Sequence, residues 1–287
     1  MDAIELEISP RERNVGSSTV QRLLPVHHRR MVGPFIFLDR MGPRTVPAGR
    51  RLDIDAHPHI GLSTLTYLIE GRMVHRDSTG AVATIEPGAV NWMTAGAGVS
   101  HTERTHPDDL ATDRGHHGLQ LWVALPDDAQ DGPPSFQHQP AEAFGTEAIG
   151  GAAVRVVAGA GYGVEAPVAV SSPLLLAELA LGPGASVPVD DTHPERAVLA
   201  IDADVWVDGH RLPAGALGVL SPGATPRLSG EGRAVLLGGE PVGRRHIWWN
   251  FVHADRDRIE AAKADWEAQR FPLVPGDHDP WVPLPAG

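Results

Sequence analysis

The stretch that decides the fold is DAHPHIGLSTLTYLIEG, residues 55–71. Its second half, rich in Leu, Ile, Thr and Tyr and closed by a glycine, has the composition of a strand running into a turn. Its first half carries His57 and His59, two residues apart. Farther on, MTAGAGVSHTERT (93–105) carries His101 and Glu103 at the same spacing. Alternate side chains of a strand share a face, so each pair points one way. If the two strands face one another across an interior, three imidazoles and one carboxylate converge and leave one or two coordination positions for water, dioxygen or substrate. A closed structural zinc site usually fills four positions and includes cysteine, whereas an open position makes a site chemical.

The rest of the composition agrees with a metal held by nitrogen and oxygen. There is no cysteine among the 287 residues, so thiolate-held zinc, iron–sulfur clusters and disulfides are excluded, while fifteen histidines are available. A mixed imidazole and carboxylate set suits iron(II), and also manganese, nickel, copper or zinc; ligand type alone does not choose. A single strand histidine is more often hydrogen-bonded or at the surface than a ligand, and one His-x-His is a weak signal. Two pairs on successive strand segments, with glycine-rich turns between them, are a much stronger one.

Outward from these motifs, short apolar runs such as FIFLDRM (35–41), AVNWMTAG (89–96) and GLQLWVALP (118–126) alternate with turn residues, of which Gly and Pro supply 32 and 26. That rhythm predicts an all-β protein. The segment PDDAQDGPPSFQHQPAEAF (126–144) is polar and proline-rich with no sustained pattern, which marks a connection. After it the strand rhythm resumes. IEGRMVHRDSTGAVATIEPGAV (69–90) and IDADVWVDGHRLPAGALGVLSPGA (201–224) share a strand, a hairpin, a strand and a Pro-Gly turn, the mark of an internal duplication. The expected layout is a first barrel over 1–130, a linker over 131–145, a second barrel over 146–242, and a helix and tail over 243–287. Ile259, Ala262, Lys263 and Trp266 stand at helical spacing before Pro272, and the tail beyond reads as extended and laid over the surface.

Formal net charge is −12, a field that repels phosphate backbones, and the basic pieces HHRR (27–30) and GRRH (243–246) are short and lack interleaved aromatics. No direct nucleic-acid binding is expected. The N-terminus lacks a basic head followed by an apolar core, and no apolar run is long enough to span a bilayer, so a cytoplasmic protein without membrane association is expected.

Other residues carry plainer expectations. Trp92, Met93 and Trp122 could line a pocket, but such residues in strands are more often core. Of the adjacent Trp248 and Trp249, one should pack under the final helix. The pairs His27–His28 and His116–His117 read as surface residues or residues behind the ligands. Gly96 and Gly98 should form the tight turn that brings His101 into line. His193, beside Asp190 and Asp191, reads as part of a solvated loop, and His210 as an exposed hairpin residue.

The segments GPFIFLDRMGP (33–43), HPHIGLSTLTYLIEG (57–71), GAVNWMTAGAGVSHTE (88–103), HGLQLWVALP (117–126) and GGEPV (238–242) resemble the pirin family, a branch of the cupin superfamily. The resemblance is dense in the N-terminal half and thin in the C-terminal half. It implies two tandem cupin (jelly-roll-like) β-barrels with a metal, usually iron, in the first alone. Carried over position by position, it makes His57, His59, His101 and Glu103 the metal ligands. The general cupin pattern has a glutamate shortly after its His-x-His; here Ser63 and Thr64 occupy that region, so the carboxylate comes from the second motif, as in pirins.

For function, the resemblance implies a quercetin 2,3-dioxygenase-like oxidoreductase. It would cleave flavonols such as quercetin with dioxygen and release carbon monoxide, with Glu103 as catalytic base. The partners are then a small phenolic substrate and dioxygen. The alternatives are a metal-loaded, redox-sensitive module that binds and regulates a protein partner, or another small-molecule cupin enzyme.

Overall fold

The computed structural model describes residues 2–285, which form two compact units. Among the described residues, one unit gathers 12–21, 39–141 and 242–285; the other gathers 2–11, 22–38 and 142–241. Each unit thus gathers separated stretches of chain, whereas the expected layout divides the chain at 130, 145 and 242. The first strand, Ile4–Ile8, pairs antiparallel with Leu217–Leu220 of the later unit, and the C-terminal segment packs on the earlier one. Burial of Ile8 and Trp266, at 5% and 0% exposure, supplies the reason: apolar faces near the chain ends are covered where strand edges and apolar surface offer partners.

The earlier unit is a pair of sheets. A seven-stranded sheet has the order Ser135–Gln139, Val90–Thr94, Leu62–Glu70, Arg114–Ala124, Phe35–Val46, Ser18–Leu24, Arg11–Val15. A four-stranded sheet has the order Ile54–His59, Val99–Thr105, Met73–Asp77, Val82–Ile85. Side chains from the two sheets meet in one cluster: Val20, Met41 and Leu68 from the larger, Met73 and Ile85 from the smaller. The sheets are open layers rather than closed rings of strands, so the expected barrels are sandwich-like in their hydrogen bonding. The segment expected as a linker contributes the edge strand Ser135–Gln139, whose backbone pairs with Val90–Thr94. Its polar side chains suit an edge facing water, which is why it did not read as a strand.

The later unit repeats this plan. Its large sheet has the order Ile4–Ile8, Leu217–Leu220, Glu195–Ala200, Gly232–Gly239, Leu174–Leu181, Ala152–Gly161, Glu147–Ile149, with Val164–Glu165 pairing off Ala152–Gly161. Its small sheet has the order Ser186–Pro188, Arg227–Gly230, Val205–Val207, His210–Leu212. The small sheets of the two units match strand for strand, which is the duplication seen in the sequence.

The helix Arg256–Glu267 starts at Asp255, whose carboxylate accepts from the Asp257 backbone N–H at 2.9 Å. Ile259, Ala262 and Trp266 form its buried stripe and pack with Ile60, Phe251 and Phe271. Trp248 and Trp249 both border this cluster, not one alone. Among the described residues no helix is long and apolar enough to cross a membrane.

Two glycines are required by close approach. At Gly61 and Gly96, both at positive φ (66° and 51°), a Cβ would stand 1.9 Å from the Val252 carbonyl oxygen and 2.0 Å from that of Gly132. The Gly61 N–H also donates to the Gly96 carbonyl at 2.9 Å. These contacts lock together the turns that follow His59 and precede Val99.

Candidate metal centre

The central strand of the small sheet, Val99–Thr105, sets the site. His101 pairs with His57 on one side and Asp77 on the other, and Glu103 pairs with His75. Inward side chains at 57, 59, 75, 101 and 103 thus share one face, as alternation requires. His57, His59, His101 and Glu103 are 8%, 1%, 2% and 7% exposed.

The structure brings the three histidines together: one ring nitrogen of each lies within 4.8 Å of the others. Glu103 falls outside this close group, though its carboxyl is buried on the same face. A register shift between His101 and Glu103 sets Glu103 opposite Ile54.

The hydrogen bonds show which nitrogens are free. His57 Nδ1 donates to the Asp55 carbonyl at 2.8 Å, and His59 Nδ1 donates to the Asn250 carbonyl at 3.1 Å. Each ring is thereby left with a bare Nε2 lone pair. His59 Nε2 and His101 Nε2 stand 3.1 Å apart. Two nitrogens bound side by side to one ion at about 2.1 Å would stand roughly 3 Å apart. The ring of Trp122 meets His59 edge-on, with centroids 5.2 Å apart.

Burial keeps these rings neutral, the form that binds metal. Desolvation lowers His57 to about 4, against the opposing hydrogen bond to Asp55. His59 and His101 are held well below the ordinary imidazole value, by desolvation first and then by the neighbouring histidines. Desolvation raises Glu103 to about 7, so its carboxyl is poised to exchange a proton near neutrality. Three neutral imidazoles with ring nitrogens within 4.8 Å of one another, buried beside one carboxyl on the same face, fit a divalent cation.

Several side chains behind the site were not singled out in the sequence. His75 and Asp77 are 6% and 0% exposed and lie in the strand MVHRD. His75 Nε2 donates to Asp77 Oδ2 at 3.0 Å, and its ring stacks on Phe136 with centroids 4.5 Å apart. The signal was available: His75 and Asp77 repeat the two-residue spacing of the ligand pairs. Asp277, in the tail, pins the other face of the central strand, and only the folded chain places it there.

Elsewhere, Trp92, Met93 and Trp122 are buried core residues at 1%, 1% and 7% exposure. His116 and His117 are buried too, at 4% and 5%, and burial lowers His116 to about 4, aided by Arg44 and Arg114. His193 is not in a solvated loop; it is 6% exposed and its Nε2 donates to the Ala160 carbonyl at 3.0 Å. Glu195, two residues on, accepts from the Gly33 N–H at 2.7 Å. His210 is exposed, 3.2 Å from Glu7.

In the later unit's small sheet, the inward residue of the central strand paired on both sides is Leu228, facing Val187 and Val207. All three are fully buried. Apolar side chains thus stand where the earlier unit has His101, His57 and Asp77, and among the described residues the triad is the one close group of metal-binding side chains found.

Fold and site together define a two-domain cupin with one histidine triad able to bind a metal. The Pirin family model matches residues 16–123, and the model described as Pirin C-terminal cupin domain matches residues 176–272. The chain belongs to the pirin family. It is 46% identical to a pirin-like protein of Caulobacter vibrioides over 98% of this chain and 99% of that one. Human pirin is 30% identical over 85% of this chain and 80% of its own. A crystal structure of quercetin 2,3-dioxygenase from Acinetobacter baumannii superposes with a TM-score of 0.90 at 35% identity, covering 98% of this chain and 95% of that one.

Proposed function

We propose that this protein is a metal-dependent dioxygenase that cleaves a flavonol or a related planar phenol. The observation that carries the reading is the buried grouping of three imidazole nitrogens within 4.8 Å of one another, with a buried carboxyl on the same face. The likeness to the Acinetobacter baumannii enzyme supports the substrate class.

His57, His59 and His101 would hold the ion, iron(II) by preference, with Glu103 as the fourth donor. The ion supplies Lewis acidity toward a phenolic oxygen and redox chemistry toward dioxygen. The chain's own residues do the rest. Glu103 would accept the hydroxyl proton of the substrate and later return it. Buried walls, with Trp122 against His59, exclude water from the reacting oxygen.

The test is carbon monoxide release from quercetin in air by iron(II)-loaded protein, beside His59→Ala. Monoxide from the wild type and none from the variant is the expected result. Absence of monoxide from wild-type protein with iron shown to be bound would overturn the flavonol assignment.

A further inference from the structure

His57 and His59 anchor their Nδ1 hydrogens on backbone carbonyls, which any sequence would offer. His101 does not. Its Nδ1 faces a side chain, His75 Nδ1, at 3.4 Å, a long hydrogen bond. Once an ion takes the place of a proton on His101 Nε2, the direction of that bond follows from what lies behind it. His75 Nε2 is 3.0 Å from Asp77 Oδ2, and a carboxylate accepts, so His75 carries its proton on Nε2 and presents a bare Nδ1 to His101. Asp77 cannot swing away: its Oδ1 accepts from Thr79 N–H at 2.8 Å, Thr79 Oγ at 2.6 Å and Ala81 N–H at 3.2 Å. Phe136 fixes the plane of the His75 ring, stacked at 13°.

Granting that the triad holds the metal, we infer that His75, oriented by Asp77 and Phe136, is a positioning residue that fixes the tautomer and donor strength of His101. It accepts the Nδ1 hydrogen of His101, leaves Nε2 as the ligand atom, and passes carboxylate polarisation from Asp77 through two rings to the ion. His101 thereby becomes the most strongly donating of the three imidazoles, because it alone is backed by a carboxylate chain rather than a neutral carbonyl.

The experiment is zinc(II) affinity by chelator competition on the full chain, for wild type, His75→Gln, His75→Leu, Asp77→Asn and His59→Ala. His75→Leu should weaken zinc about 10- to 100-fold. His75→Gln should restore most of that loss, because an amide oxygen can accept the His101 Nδ1 hydrogen where a leucine cannot. Asp77→Asn should fall between wild type and His75→Leu. In the zinc-loaded protein, NMR should show the His101 Nδ1 proton slow to exchange in wild type and His75→Gln, and fast in His75→Leu.

A purely structural role gives a different pattern: Gln and Leu behave alike, and the proton signal follows stability rather than hydrogen bonding. That pattern, or wild-type affinity in His75→Leu, overturns the inference while the triad stands. If wild type binds no zinc, or His59→Ala binds it as well, the metal reading itself fails and this inference with it. Should His75→Leu fail to fold, wild-type affinity in both His75→Gln and Asp77→Asn with a fast-exchanging His101 proton would overturn it.

Discussion

At the residue scale, the proposed function divides the work of holding and reacting between three imidazoles and one carboxyl. Glu103→Gln keeps the shape and the histidines, so it should retain metal within about tenfold yet lose roughly 10²- to 10⁴-fold in turnover, the usual contribution of a positioned base. His59→Ala should lose both; a fully active Glu103→Gln would remove Glu103 from the chemistry. The same groups set an acid limit on the metal-free fold. Well above pH 6.5 the three rings are neutral in folded and unfolded chains and add no pH dependence. Below it the unfolded chain takes up protons that the folded one refuses, down to about 4 for His57 and lower for the others, so stability falls as pH falls. Glu103 opposes this: raised from 4.5 to about 7, it binds a proton in the folded state across that window, so its contribution falls as pH rises. Three groups outweigh one, and each net proton changes stability by about 1.4 kcal/mol per pH unit. Thermal melts of metal-free protein should therefore drop from pH 6.5 to 5, more steeply in Glu103→Gln; a flat profile would show that the rings are not buried neutral.

At the element scale, the central strand Val99–Thr105 is gripped on both faces. Its inward residues form the site, and its outward residues are tied to the C-terminal segment. Thr102 Oγ donates to Asp277 at 2.8 Å, and Arg104 Nη2 donates to the same carboxylate at 2.8 Å, with Nε bridging both its oxygens at 3.1 and 3.0 Å. Ala56, between the ligand strand's ends, exchanges backbone hydrogen bonds with Pro280 and Val282. Asn250 completes the set by holding His59. Asp277→Ala should cost about 1–3 kcal/mol, as loss of a hydrogen-bonded charged partner does, and should weaken metal binding because the strand that carries His101 loses its backing. Asp279→Ala, on the same tail but exposed, should change neither. Chemical denaturation and metal titration of the two variants side by side would decide it.

At the scale of the whole molecule, two copies of one architecture have parted in content. The earlier copy holds polar groups on the inner face of its small sheet; the later one holds Leu228, Val187 and Val207. Metal should therefore stabilise one copy. With zinc at about 100 times its Kd, the gain is about 2.7 kcal/mol. Hydrogen exchange should slow by up to about 100-fold in Ile54–His59 and Val99–Thr105 and stay unchanged in Leu174–Leu181 and Gly232–Gly239. Protection that appears equally in both copies would mean that the ion binds elsewhere or that the copies open as one unit.

The sequence by itself determined the local facts: short strands between Gly and Pro turns, the inward face of His57, His59, His101 and Glu103, the final helix from Ile259 to Trp266, and the duplication. Alternation and turn chemistry act over a few residues, and so they can be read from a few residues. Tertiary structure alone decided the rest. It buried His193 and His116, made a strand of Ser135–Gln139, sent each end of the chain to the unit distant from it in sequence, and set Asn250 and Asp277 behind the ligands. These outcomes depend on which edges and apolar faces remain open once the sheets have formed. Asp277 and Thr102 meet across 175 residues of chain, and no local pattern encodes a partner at that distance.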